Sequence, residues 1–79
     1  MPVMEWVIKN KGTGELAQIQ SEIHGDRTII FDSPEQAESF LKRVPEDFQS
    51  VAIITEVILY GPKISCKDAI KELYGKEEE

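Results

Sequence analysis

The stretch Ser33-Pro34-Glu35-Gln36-Ala37-Glu38-Ser39-Phe40-Leu41-Lys42-Arg43-Val44-Pro45 decides the fold. Ser33 is a side-chain N-cap. Pro34 takes the first helical position, where a missing N–H leaves nothing unsatisfied, and Gln36 stands three residues after the cap as in a capping box. Ala37, Phe40, Leu41 and Val44 then recur at the i, i+3, i+4, i+7 spacing of one buried helical stripe. Pro45 ends the helix, because the residue before a proline resists the α region.

Upstream of this helix the pattern has period two. Met4, Trp6 and Ile8 alternate with Glu5 and Lys9, the signature of a half-buried strand. Asn10 to Glu15 is polar, and Gly12 and Gly14 suit a hairpin loop. Alternation resumes from Leu16 to Ile23, the segment His24-Gly25-Asp26-Arg27 reads as a tight turn, and Thr28-Ile29-Ile30-Phe31 is β-branched and aromatic. Residues 3 to 32 are expected to form a three-stranded meander.

Downstream, Val51 to Tyr60 is dominated by β-branched residues and closed by Gly61-Pro62. A second helix follows, capped by Ser65, with Cys66, Ala69, Ile70, Leu73 and Tyr74 as its stripe and Gly75 as its terminator. The expected fold is α+β, in the order βββαβα, with two helices packed on one face of a four-stranded mixed sheet. Strands three and four, if neighbours, would be joined by a right-handed parallel crossover through the first helix.

The 79 residues suffice for a single domain, expected over residues 1–75, followed by a charged, flexible tail at residues 76–79. Hydrophobic residues make up 41% and charged ones 30%, which fits a globular chain rather than a disordered one. No apolar run approaches the roughly 18 residues of a membrane span, and no secretory leader is legible. One cysteine and one histidine exclude an intramolecular disulfide framework and a cysteine/histidine zinc site. A cytoplasmic location, without cofactor or metal, is the expectation.

Chemistry has few carriers here. Cys66 would lie in the first turn of a helix beside Lys67, where free N–H groups and a cation can lower a thiol pKa. Its register with Ala69, Ile70 and Leu73 favours instead a small core residue, and no second cysteine stands three residues away. His24 beside Asp26 and Arg27 is what a solvated turn contains. Lys11-Gly12-Thr13-Gly14 is too short for a phosphate loop and leads into a strand. Nothing marks the glutamates as an acid–base pair in a cleft. The chain therefore reads as non-catalytic.

Charge is the remaining signal. Fifteen acids face nine bases, for a net charge of −6, which argues against nucleic acid as a direct ligand. Six acids, Glu15, Glu22, Asp26, Asp32, Glu35 and Glu38, fall in a sector whose one base is Arg27. Such a sector maintains solubility or steers the protein onto a basic partner. The expected function is a small, acidic, non-enzymatic module that binds and regulates, for example by inhibition, a protein with a basic surface. In its sharpest form it is a DNA or RNA mimic directed at a nucleic-acid-binding protein. The alternatives are a thiol-dependent enzyme or redox protein using Cys66, and a self-assembling structural subunit.

Self-association has its own motive. A domain this small buries only about 60% of the surface its unfolded chain exposes. The strand Val51–Tyr60 is apolar on both faces, more than two helices can cover. A sheet face bearing Val3, Val7, Ile30, Ile54 and Ile58 is expected to form a homodimer contact.

Overall fold

The structure, a computed structural model, describes residues 3–20 and 25–74, Tyr74 by its backbone only. It is a small α+β fold of five strands and three helices among these residues. Strand β1 covers Met4–Asn10, β2 Gln18–Ile19, β3 Arg27–Ile30, β4 Ala52–Ile58 and β5 Lys63–Ser65. Helix α1 covers Pro34–Leu41, α2 Glu46–Gln49 and α3 Cys66–Tyr74. The order differs from the expected βββαβα by one short helix and one short strand.

The strands form two sheets rather than one four-stranded sheet. β1 pairs antiparallel with β4 over seven residues, from Met4 opposite Ile58 to Asn10 opposite Ala52. β3 is the centre of the other sheet, antiparallel to β2 and parallel to β5. The expected parallel neighbour of strand three is thus β5, not β4. β4 runs back along β1 instead, where its apolar residues meet those of β1. The two sheets are sutured along the far edge of β1. Ala17 donates its N–H to the Ile8 carbonyl at 2.8 Å and accepts the Ile29 N–H at 3.0 Å, and the Phe31 N–H donates to the Trp6 carbonyl at 2.9 Å.

The loop between β1 and β2 closes as its glycines imply. The Asn10 side-chain oxygen accepts the Gly12 and Thr13 N–H groups, and Gly14 adopts φ +81°, the left-handed region that glycine enters without penalty. The second regular stretch is shorter than its alternation suggests. β2 is two residues long, and Glu22, Ile23 and His24 lie outside the described residues.

α1 begins as its sequence dictates. Ser33 Oγ accepts the Gln36 N–H at 3.2 Å, and Gln36 Oε1 reaches back to the Asp32 N–H at 2.7 Å, one residue before the cap. The helix stops at Leu41, and Arg43 and Val44 continue in tightened turns that donate to Phe40 and Leu41. α2 occupies what reads as loop. Pro45 precedes it, Glu46 and Asp47 fill its first turn, and the Gln49 side chain ties back to the Val44 carbonyl at 2.8 Å. α3 starts on Ser65, whose Oγ accepts the Asp68 N–H at 3.2 Å. The expected Gly75 terminator and the tail 76–79 lie outside the described residues.

The helices pack on one side of the strands around Ile8, Ile19, Ile29, Phe31, Ala37, Phe40, Ile64, Cys66 and Ala69, all buried. Phe31 and Phe40 meet with ring centroids 5.5 Å apart and planes at 59°, a tilted contact of the kind aromatic quadrupoles favour. No helix among the described residues is long and apolar enough to cross a membrane.

Candidate protein-interaction surfaces

Five of the six sector acids fall within the described residues, and all five are exposed. Glu15 ends the first loop, Asp26 precedes β3, Asp32 stands between β3 and α1, and Glu35 and Glu38 ride on α1. Glu22 lies outside the described residues. Arg27–Glu72 and Lys63–Glu5 are ion pairs, and none of the five takes part in either. The sector's one base is already committed. Arg27 Nη2 donates to both oxygens of Glu72 on α3, at 2.7 and 2.8 Å. The local cation is therefore compensated from outside the sector, and the five described sector carboxylates are exposed and belong to neither of these two pairs.

The five residues expected to share a sheet face do not. Directly opposed residues of an antiparallel pair lie on one face. Ile54 opposes Ile8 and Ile58 opposes Met4, so both point to the helix side, and Ile54 packs against the core. Val7 and Ile30 lie on the other side, one step out of phase with the opposed pair Trp6 and Phe31. Val7 has no exposed surface at all, and Ile30 is half-buried. On this open side Lys63 Nζ pairs with Glu5 Oε2 at 3.2 Å, adding a charged bridge from β5 to β1. Val3, ahead of β1, is 66% exposed.

Apolar exposure concentrates elsewhere. Among the described residues, Val3, Met4, Ile53, Ile58 and Tyr60 are five of the six exposed large hydrophobic residues, and all belong to β1, β4 or the residues flanking them. Met4, expected with Trp6 and Ile8 on one face of a half-buried strand, is instead exposed, and the two-sided apolarity of Val51–Tyr60 is the signal for Ile53 and Tyr60. The sixth, Leu73, is expected in the buried stripe of its helix but stands half exposed. It lines a cleft of about 330 Å³ with Leu16, Ala17, Phe40, Val44 and Phe48, and Glu15 lies at the same cleft.

Cys66 is 4% exposed and packed in the core. Burial pushes its thiol above the ordinary value, the Asp32 carboxylate adds to the rise, and the Arg43 guanidinium opposes it. A thiol held protonated and covered is a poor nucleophile. Among the described residues no group of three histidine, cysteine, aspartate or glutamate side chains is placed to hold a metal ion. Compared with known proteins, the chain matches no family model, no curated protein and no solved structure.

Proposed function

We propose that this protein is a small, non-enzymatic interaction module that binds and regulates a partner protein with a basic surface. One observation carries the reading: Glu15, Asp26, Asp32, Glu35 and Glu38 are all exposed, while Glu72 engages the sector's only cation, Arg27. Exposed carboxylates in excess over bases project a negative field that draws a basic surface in and orients it before contact. If the partner binds nucleic acid, these carboxylates occupy positions that phosphates would otherwise take, and the protein blocks that site. The buried, protonation-favoured Cys66 counts against the thiol-chemistry alternative. A lone thiol without a disulfide partner suits a reducing compartment, and the cytoplasm is the proposed location.

Affinity capture from native lysate tests the reading. The immobilised wild type should retain a basic protein at low salt and release it at high salt. The variant Glu15→Gln/Glu22→Gln/Asp26→Asn/Glu35→Gln, folded but short of four sector charges, should retain much less. Equal retention by both proteins at both salt concentrations removes the electrostatic basis of the proposal.

A further inference from the structure

We infer that the free edge of β4 is a pairing site for the β4 of a second copy of this chain, giving a two-fold dimer with a sheet continuous across it. The inference is independent of the basic partner proposed above.

The two outer strands differ in how they are guarded. Natural sheet edges are kept from pairing by shortness, proline, lysine or a bulge. β5 has three of these, being three residues long, preceded by Pro62 and begun by Lys63. β4 has none. It runs for seven residues, Ala-Ile-Ile-Thr-Glu-Val-Ile, in unbroken register with β1, without proline or lysine. Among the described residues no strand pairs with its other edge.

The groups offered along that edge follow from one bond. The Lys11 N–H donates to the Val51 carbonyl at 2.8 Å, which sets the phase of the ladder. Val51 turns its C=O toward the β1 side while its N–H donates to the Phe48 carbonyl at 3.1 Å; Ile53, Thr55 and Val57 turn both groups toward β1, and Ala52, Ile54, Glu56 and Ile58 turn theirs outward. The far side of β1 agrees, since Trp6 and Ile8 give their carbonyls to Phe31 and Ala17 there.

This edge complements itself. An antiparallel pairing of two β4 strands centred on Thr55 sets Ala52 against Ile58 of the second copy, Ile54 against Glu56, and Ile53 against Val57. Every outward N–H and C=O then finds a partner. On the open side, Ile53, 40% exposed, gains a β-branched neighbour, and on the helix side so does Ala52, through Ile58, which is 42% exposed. A slip of two residues strands one end of each strand, and in one direction sets Glu56 against its own copy. A slip of one residue opposes outward groups to inward ones and forms no ladder. The centred register is therefore the one that saturates the edge, and it sets the two Glu56 residues diagonally rather than directly opposite each other. Of the exposed apolar residues, Ile53 and Ile58 lie on β4 itself, where the pairing gives each a neighbour.

Each copy carries a net charge of −6, so long-range repulsion opposes the dimer and salt relieves it. Salt should tighten self-association, whereas it should weaken capture of a basic partner. The two proposals therefore fail separately.

Sedimentation equilibrium across the micromolar range should show a monomer–dimer equilibrium that shifts to dimer as salt rises. Glu56→Pro removes an outward N–H without touching a bond to β1, and should weaken the dimer by at least about tenfold while the monomer stays folded. Amide exchange on the unaltered protein gives a readout that no variant can confuse. Exchange at Ala52, Ile54, Glu56 and Ile58 should slow with rising protein concentration. A monomer at every concentration overturns the inference, as does a dimer whose exchange at these four amides ignores concentration.

Discussion

Arg27 of β3 grips Glu72 of α3 through both carboxylate oxygens, at 2.7 and 2.8 Å, and so fastens the last helix to the central strand of its sheet. The Arg27 side chain is 17% exposed, and its Nε is buried without a hydrogen-bond partner. Glu72→Gln leaves a largely covered guanidinium without its counter-charge. A loss of about 1 kcal/mol is expected, at the upper end of partly exposed pairs, because the contact is two-pronged. Urea denaturation of wild type and variant measures it. The same substitution frees the one cation of the acidic sector, so it should also weaken capture of a basic partner.

Ser33 fixes where α1 begins, through its bond to the Gln36 N–H. Ser33→Ala should lower stability by about 1 kcal/mol, the usual worth of a side-chain cap. Thermal unfolding followed by circular dichroism reads the change, and Ser33→Asp should recover most of it.

Phe40 is 6% exposed and touches Phe31 at the centre of the core. Phe40→Ala should cost about 3–5 kcal/mol, from lost transfer free energy and the cavity left behind. In a domain whose whole stability is of the order of 5 kcal/mol, that leaves little folded protein at 37 °C. Phe40→Leu, which keeps most of the volume, should remain folded by the same spectroscopic criterion.

Cys66 gives a signed pH dependence. Its thiol pKa is raised in the folded protein, chiefly by burial. The unfolded chain therefore loses the thiol proton first, from its ordinary pKa of about 8.5 upward. The stability linked to this group is complete below that pH and is lost as pH climbs through the folded pKa. The stability difference between wild type and Cys66→Ala should therefore shrink on going from neutral to alkaline pH in urea titrations. A neutral alkylating reagent should label the folded protein slowly and the urea-unfolded protein quickly.

These elements also mark what the sequence discloses. Ser33, Pro34 and the stripe Ala37, Phe40, Leu41 place the start and body of α1 because caps and helical period are local, whereas the helix ends at Leu41, short of the expected Val44. Met4, Trp6 and Ile8 disclose β1 by alternation against Glu5 and Lys9, and Gly14 its turn. The phase of β4 was not legible, because Ala-Ile-Ile-Thr-Glu-Val-Ile is apolar on both sides and alternation carries no information there. Only its pairing with β1 assigns Ile54 and Ile58 to the helix side and splits them from Val7 and Ile30. β5 was hidden for another reason: three residues after a proline hold no period, and the strand exists through its parallel contact with β3. The sector acids were legible as charge, whereas the engagement of Arg27 by Glu72, far along the chain, was not.

The association rate with the captured basic partner, measured by stopped flow across a range of ionic strength, tests the proposed function most directly. For the wild type the rate should fall steeply with salt while dissociation changes little, because attraction is screened over about 10 Å at 0.1 M. Glu15→Gln/Glu22→Gln/Asp26→Asn/Glu35→Gln should associate more slowly at low salt and with a flatter salt dependence. Association rates that ignore both salt and the four substitutions would contradict it, and leave the acidic sector with the role of keeping the protein in solution.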